Sequence, residues 1–258
     1  MSQAKVRCGV QRSQGQKAAF SRVDLLALLA VLALVVCVQL PALAHNKGNS
    51  HRAVCADNLR RLGLSWLMYA DDNRGRLAPN LSIGTSSLTN NWVAGFLDFT
   101  GASDNTNLAT ITQAELYPYN KAVEIYRCPD DLSAYRGQLR IRSYSMSGWV
   151  GDGTSEWTSG FQIMTNRSRI RQPDQTFVFI EEHPASINDG LFVVDMSASG
   201  SMVDYPASYH YSGANLGFAD GSVVYHQWLN IPATIGPILP PIRGPDVTWL
   251  KSVSTCRK

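Results

Sequence analysis

The feature that most constrains this chain is an uncharged, strongly apolar run near its N-terminus. Residues 25–44 contain 20 residues without a charge, the length that a helix needs to cross the hydrocarbon core of a bilayer. Residues 1–19 carry four bases and no acid, whereas the rest of the chain has 19 bases against 20 acids. Because basic segments stay on the cytoplasmic side, the sequence predicts a single-pass membrane protein with a cytoplasmic N-terminus.

Composition narrows the class further. The chain has 258 residues, of which 45% are hydrophobic and 17% are charged. That apolar content excludes wholesale disorder, and a single long apolar run excludes a polytopic membrane protein. The length suits one domain with an appendage.

The apolar run allows three interpretations. Ala42-Leu43-Ala44 matches the small-x-small cleavage pattern of a secretory signal peptide. An uncleaved anchor is the second interpretation. The third rests on Arg22 and Asp24 at the start of the run, since a carboxylate there costs a few kcal/mol in hydrocarbon unless it is paired and therefore suggests a function.

Residues 17–26 read KAAFSRVDLL and resemble the processing region of a type IV prepilin or type II secretion pseudopilin. The resemblance implies that prepilin peptidase cuts between Ala19 and Phe20. It also implies that Asp24, the fifth mature residue, pairs with the N-terminal amine of a neighbouring subunit. Pro41 falls where the family's long helix often kinks, which is also the physical effect of a proline inside a helix.

The processing region departs from the family pattern at three positions. Ala19 replaces the preferred glycine, Asp24 replaces the preferred glutamate, and Arg22 occupies a position that is usually apolar. These departures support the alternative interpretation, a membrane-anchored module that keeps its leader.

An amphipathic helix is predicted directly after the apolar run. Five residues recur at spacings of three and four and form an apolar stripe: Cys55, Leu59, Leu62, Trp66 and Tyr69. Gly75 is available as the C-terminal cap. The stripe is expected to pack against a sheet as part of the core.

Three further blocks resemble one group of prepilin-like proteins. Residues 55–80 read CADNLRRLGLSWLMYADDNRGRLAPN, residues 126–131 read YRCPDD, and residues 210–221 match an H-x9-DG signature through His210, Asp220 and Gly221. The resemblance implies an α+β, pilin-like fold in which a long N-terminal transmembrane and amphipathic helix packs on a small antiparallel β-sheet. It divides the chain into a leader (1–19), an assembly helix (20–44) and an exported domain (45–258).

Short strands are predicted at residues 141–150, 176–180 and 191–195. Asp220-Gly221 lies between two apolar runs and predicts a two-residue hairpin turn. Residues 231–245 contain five prolines and predict an extended tail with little regular structure.

The cysteines leave two alternatives open. In an oxidising periplasm a Cys55–Cys128 disulfide would tie the predicted helix to the loop that begins at Cys128. The other alternative is that both thiols are reduced and buried. Cys256 has no predicted partner.

A metal site is a third hypothesis for the exported domain. Carboxylates and imidazoles in loops between strands are candidates for a divalent cation site: Glu181, Glu182, His183, Asp189, His210 and Asp220. Of these, the predicted ligands are Glu182, His183, Asp189 and His210. Oxygen-rich sites suit calcium, whereas two histidines with an acid suit zinc or iron. The spacing matches no metal motif, and a structural role in a turn or loop is the alternative interpretation of these residues. No other cofactor is expected.

Two groups of arginines, at residues 127–142 and 167–171, are basic and have aromatic neighbours. Since the chain after the leader has a formal charge of −1, they are interpreted as solvated strand edges, and no nucleic acid is expected. The sequence also contains no nucleophile elbow, phosphate loop or dinucleotide fingerprint, so no enzymatic activity is predicted.

The resemblance implies a structural pseudopilin of a type II secretion or type IV pilus-like system. Its implied partners are prepilin peptidase, other pilin-like subunits, an inner-membrane secretion or pilus platform, and membrane lipid. Its implied location is the inner membrane, with the C-terminal domain periplasmic or extracellular. The alternatives are the non-polymerising binding module and, less directly, a metal-dependent periplasmic enzyme.

Overall fold

The computed structural model describes residues 22–81, 88–98, 103–151, 160–232 and 239–258, without the side chains of residues 24 and 35–49. The predicted leader and the processing site at Ala19 and Phe20 lie outside the described residues, as do the side chains of Asp24 and Pro41. The chain divides into two compact units, Met1–Asn46 and Lys47–Lys258.

One helix, α1, covers Arg22–Asp72, and residue 41 lies within it. In the first unit, the described apolar side chains of α1 are mostly exposed to solvent. Over the described residues, none of the helices is both long and apolar enough to cross a membrane.

The part of α1 in the second unit confirms the predicted stripe, because all five of its residues are buried. The helix ends at Asp72, and Gly75 follows as the predicted C-terminal cap. The glycine has a φ of 81° and donates its N–H to the carbonyl of Ala70 at 2.7 Å, which is the backbone conformation that terminates helices and favours glycine.

A five-stranded sheet forms the centre of the second unit. Its strands are β3 (Tyr144–Ser147), β4 (Phe177–Glu181), β5 (Leu191–Phe192), β6 (Gly213–Phe218) and β7 (Val223–Gln227), in the order β5-β3-β4-β6-β7. A separate two-stranded ribbon consists of β1 (Ala134–Tyr135) and β2 (Gln138–Leu139). The α+β class is thus confirmed.

The sheet is mixed, which corrects the prediction of an antiparallel one. β5 pairs with β3 in parallel, whereas the other three pairs are antiparallel. After β4 the chain reverses through residues 182–190 and passes to the free side of β3. Because β4 is antiparallel to β3, a strand that reverses after β4 must run parallel to β3.

Helix α1 approaches the sheet closely where glycines face each other. A Cβ built on Gly217 of β6 would lie 3.7 Å from the carbonyl oxygen of Leu59, and one built on Gly63 would lie 4.0 Å from the Cα of Gly221. Small residues at these positions allow the helix backbone to lie against β6.

Strands β6 and β7 form the predicted hairpin, but its loop has three residues (219–221) and not the predicted two, because Gly217 pairs with Val223 and the N–H of Phe218 donates to the carbonyl of Ser222. Gly221, the last residue of this loop, has a φ of 88°.

The described part of the predicted C-terminal tail (231–245) is extended as expected, because residues 239–244 lack regular structure. Helix α4 (Pro245–Ser252) begins at the last residue of that segment and was not predicted. Proline is well tolerated at the first helical position, because the N–H that it lacks has no intrahelical partner there. Val247 and Leu250 are buried, so packing against the domain stabilises α4. Two further short helices are α2 (Ala109–Thr112) and α3 (Tyr117–Asn120).

Candidate metal centre

Residues from all three sequence blocks meet in the core of the second unit. Their cluster, here called the CCEH cluster, consists of Cys55, Cys128, Glu181 and His210. One potential ligand atom from each residue lies within 4.8 Å of the others, and all four residues are buried. The four residues are far apart in the sequence, so only the fold brings them together.

Each residue of the cluster comes from a different element. Cys55 lies on the buried stripe of α1, and Cys128 follows a 3-10 helix at Val123–Tyr126. Glu181 is the last residue of β4, and His210 precedes β6 in a turn. The cluster therefore joins the helix, a loop and the middle of the sheet.

The ligand atoms are close enough for direct contacts. The Cys55 thiol donates to Oε1 of Glu181, and the same oxygen lies 2.9 Å from Nε2 of His210. That nitrogen is 3.4 Å from the sulfur of Cys128. The two sulfurs, one carboxylate oxygen and Nε2 thus face a common point.

The second nitrogen of His210 faces another acid. Nδ1 lies 3.1 Å from Oδ2 of Asp130, which is close enough for an ion pair. The angle between the two groups does not suit a hydrogen bond. Asp130 also contacts Nδ1 of His51 on α1. The imidazole of His210 is therefore placed between the cluster on one side and Asp130 on the other.

Backbone and side-chain hydrogen bonds hold the cluster residues in place. The N–H of Asn215 donates to Oε2 of Glu181 at 2.7 Å, which leaves Oε1 facing the cluster. The N–H of Cys128 donates to the hydroxyl of Ser143. The sulfur of Cys55 lies 2.9 Å from the hydroxyl of Tyr144. These contacts fix the orientation of the ligands without occupying all of their lone pairs.

Burial and neighbouring groups shift the pKa values of two residues in the cluster, Cys55 and His210. Burial, together with Cys128 and Glu181, raises the pKa of Cys55 well above its ordinary value. Burial alone lowers the pKa of His210, but Cys128 and Glu181 beside it outweigh that effect and raise it to about 10. A protonated Cys55 and a protonated His210 are therefore favoured in the metal-free cluster.

The disulfide that the sequence suggested is not formed. Cys55 and Cys128 are adjacent, as expected, but both are free and buried. Of the two alternatives left open by the sequence, the structure has the reduced, buried pair. Cys256 is also free and is exposed.

Of the candidates considered from the sequence, Glu181 and His210 belong to the CCEH cluster, whereas the predicted ligands Glu182, His183 and Asp189 lie outside it. Glu182 accepts from the hydroxyl of Ser186 at 2.8 Å, Nδ1 of His183 accepts from the N–H of Ala185, and Asp189 accepts from the N–H of Leu191. Successive side chains of a strand point to opposite faces. This alternation separates Glu182 from Glu181 and directs it away from α1.

Two of the arginines interpreted as solvated strand edges are in fact buried. Arg140 and Arg142 are 1% and 2% exposed. Arg140 donates to the carbonyls of Pro184 and Ile187, and Arg142 donates to those of Tyr144 and Asp189. The two guanidinium groups therefore hold the 182–190 loop against the sheet, where neither can contact nucleic acid.

The sequence contained a usable signal for the cluster. Cys55 lies on the core-facing stripe, and Glu181 lies two residues after Phe179 in an apolar strand and therefore on the same face, so both were predictable as buried polar groups in need of partners. The approach of Cys128 and His210 to these groups depends on loops, whose paths no periodicity predicts.

The described geometry is the main guide to function, because no family model, curated protein or solved structure matches the chain.

Proposed function

We propose that this protein is a membrane-anchored, pilin-like structural subunit rather than an enzyme. In this proposal, prepilin peptidase removes residues 1–19, and the apolar part of α1 mediates assembly with other subunits at an inner-membrane platform. The second unit is then displayed in the periplasm or outside the cell.

The observation that carries the proposal is the apolar surface of α1 in the first unit. Eight of its side chains are 50–73% exposed: Val23, Leu25, Leu26, Leu28, Leu29, Val31, Leu32 and Leu34. A contiguous apolar surface of this kind is unfavourable in water and marks a site for protein or lipid contact. Membrane lipid and the equivalent helices of neighbouring subunits are apolar and could therefore cover this surface.

The test is the N-terminal residue and mass of the protein extracted from membranes of cells that contain prepilin peptidase. The proposal requires an N-terminal Phe20, methylated on its amine. An N-terminus at His45 would establish a secretory signal peptide, and an intact leader would contradict processing.

Assembly is tested separately by substitutions at Asp24. Asp24→Ala removes the carboxylate that would pair with the amine of a neighbouring subunit, so we expect incorporation into filaments to be lost. Asp24→Glu retains the charge and serves as the matched control. Equal incorporation of the alanine variant and the wild type would favour the non-polymerising anchored module.

A further inference from the structure

We infer that the CCEH cluster is a structural zinc site that fastens helix α1 to the sheet. Cys55, Cys128 and His210 would bind the ion through Sγ, Sγ and Nε2, and Glu181 would bind it through Oε1. The inference concerns the second unit alone and does not depend on whether the chain forms filaments.

Of the cations considered from the sequence, the ligand types favour zinc over calcium. Calcium takes six to eight oxygen ligands, whereas this cluster offers two sulfurs, one nitrogen and one oxygen. Zinc accepts this mixture in a tetrahedral arrangement. Soft thiolates together with an imidazole disfavour magnesium and calcium alike.

The spacing of the ligand atoms is compatible with a tetrahedron. Zinc–ligand bonds of ~2.0–2.3 Å place neighbouring ligand atoms ~3.2–3.8 Å apart. In the structure the sulfur of Cys128 is 3.4 Å from Nε2 of His210, which is 2.9 Å from Oε1 of Glu181, and all four atoms lie within 4.8 Å of one another. Shifts of about 1 Å or less would complete the coordination.

The surroundings of His210 provide a second, independent indication. A histidine that binds a metal through one nitrogen usually directs the other to a carboxylate or a carbonyl group. Nε2 of His210 faces the cluster, while Nδ1 lies 3.1 Å from Oδ2 of Asp130. This arrangement assigns a positioning role to Asp130 in the Cys128-Pro129-Asp130 segment.

The site has the features of a structural centre. All four ligands come from the protein and all are buried, whereas catalytic zinc sites keep one position open for water or substrate. With two thiolates and one carboxylate bound to Zn²⁺, the ion and its ligands together would carry a net charge of −1. Hydrogen bonds from the N–H of Asn215 and the hydroxyl of Tyr144 would disperse part of that charge.

The first test is the metal content of the detergent-extracted full chain after dialysis against a low, buffered concentration of free Zn²⁺. We expect about one zinc per chain in the wild type and less than about a tenth of that in Cys55→Ser and Cys128→Ser. The matched control is Cys256→Ser, since Cys256 is exposed and outside the cluster; its zinc content should equal that of the wild type.

The second test compares two adjacent glutamates. Glu181→Gln replaces a ligand by a neutral amide, while Glu182→Gln makes the same change on the other face of the chain. We expect zinc affinity, measured by competition with a chelator, to fall at least about tenfold in the first variant and to stay unchanged in the second. Asp130→Asn should weaken zinc binding about 10–100-fold, the usual effect of removing the partner of a histidine ligand.

A third measurement uses only the wild-type chain, in case the variants fail to fold. Loading with Co²⁺ should produce the intense charge-transfer absorption of a tetrahedral site with two thiolates, and Zn²⁺ should displace it. Three outcomes would overturn the inference: a Cys55–Cys128 disulfide in the extracted protein, a different metal bound stoichiometrically at these residues, or free thiols that take up neither Zn²⁺ nor Co²⁺.

Discussion

At the scale of single residues, Asp246 shows how one buried carboxylate organises a chain segment. Its oxygens accept hydrogen bonds from the N–H groups of Leu229, Asn230 and Ile231, at 2.7–3.0 Å. The side chain is fully buried in the first turn of α4. Asp246 therefore connects the segment after β7 to the C-terminal helix and satisfies three backbone donors.

Asp246→Ala should be strongly destabilising, because it leaves buried N–H groups without an acceptor. Hydrogen bonds to a charged group contribute about 1.5–3 kcal/mol each, not additively, so we expect the free energy of unfolding to fall by about 2–4 kcal/mol. Urea denaturation of the full chain measures it. The control is Thr248→Ala on the same helix, where the side chain is exposed and the free energy of unfolding should change by less than about 0.5 kcal/mol. Equal effects of the two substitutions would contradict the role assigned to Asp246.

At the scale of elements, strand β6 contains two glycines with different surroundings. A Cβ built on Gly213 would lie 2.4 Å from the carbonyl oxygen of His226 on the paired strand, whereas one on Gly217 would have nothing closer than 3.7 Å. The first distance is a clash with backbone, and the second is an ordinary contact with α1. Substitution by alanine should therefore cost much more stability at Gly213 than at Gly217.

Gly213→Ala is expected to lower the free energy of unfolding by about 1–3 kcal/mol, because the β6–β7 pair has to separate to admit the methyl group. Gly217→Ala should change it by less than about 1 kcal/mol in either direction, since lost chain entropy of the unfolded state offsets any crowding. Thermal unfolding of both variants beside the wild type provides the comparison. A Gly217 variant less stable than the Gly213 variant would mean that α1 lies closer to β6 than described.

At the scale of the whole molecule, buried acids make the stability of the fold depend on pH. Burial raises the pKa of Asp204 to about 7, although the side chain is partly accessible to solvent. Its Oδ2 accepts the N–H of Val193 at 2.6 Å. Since the unfolded chain loses this proton near pH 4 and the folded chain only near pH 7, this carboxyl group lowers stability as pH rises between these values.

Asp204→Asn should remove that loss, because an amide does not ionise and its oxygen can still accept the N–H of Val193. We expect the variant to match the wild type near pH 4 and to be more stable by about 1–2 kcal/mol at pH 8, a value reduced for the partial exposure of the side chain. Urea denaturation across that pH range measures the difference. A stability difference that does not vary with pH would show that Asp204 keeps its ordinary pKa in the folded protein.

Much of the second unit was predictable because the relevant signals are local. The stripe from Cys55 to Tyr69, the cap at Gly75 and the hairpin around Asp220-Gly221 depend on backbone geometry over a few residues, and all three were confirmed, although the hairpin loop is one residue longer than predicted. The α+β class follows from the same periodicities.

What only the tertiary structure decided depends on contacts between distant parts of the chain. Strand alternation places Glu181 and Glu182 on opposite faces, but alternation alone does not decide which of the two is a ligand. The structure decides it, because Cys55 and His210 lie beside Glu181. The burial of Arg140 and Arg142, the parallel pairing of β5 and the existence of α4 likewise depend on loop paths and on packing partners. The sequence by itself determined the apolar stripe of α1 and the alternation of helix and short strands, because those properties repeat along the backbone. The grouping of four polar side chains into one centre is a property of the folded chain, since it requires residues up to 155 positions apart to meet.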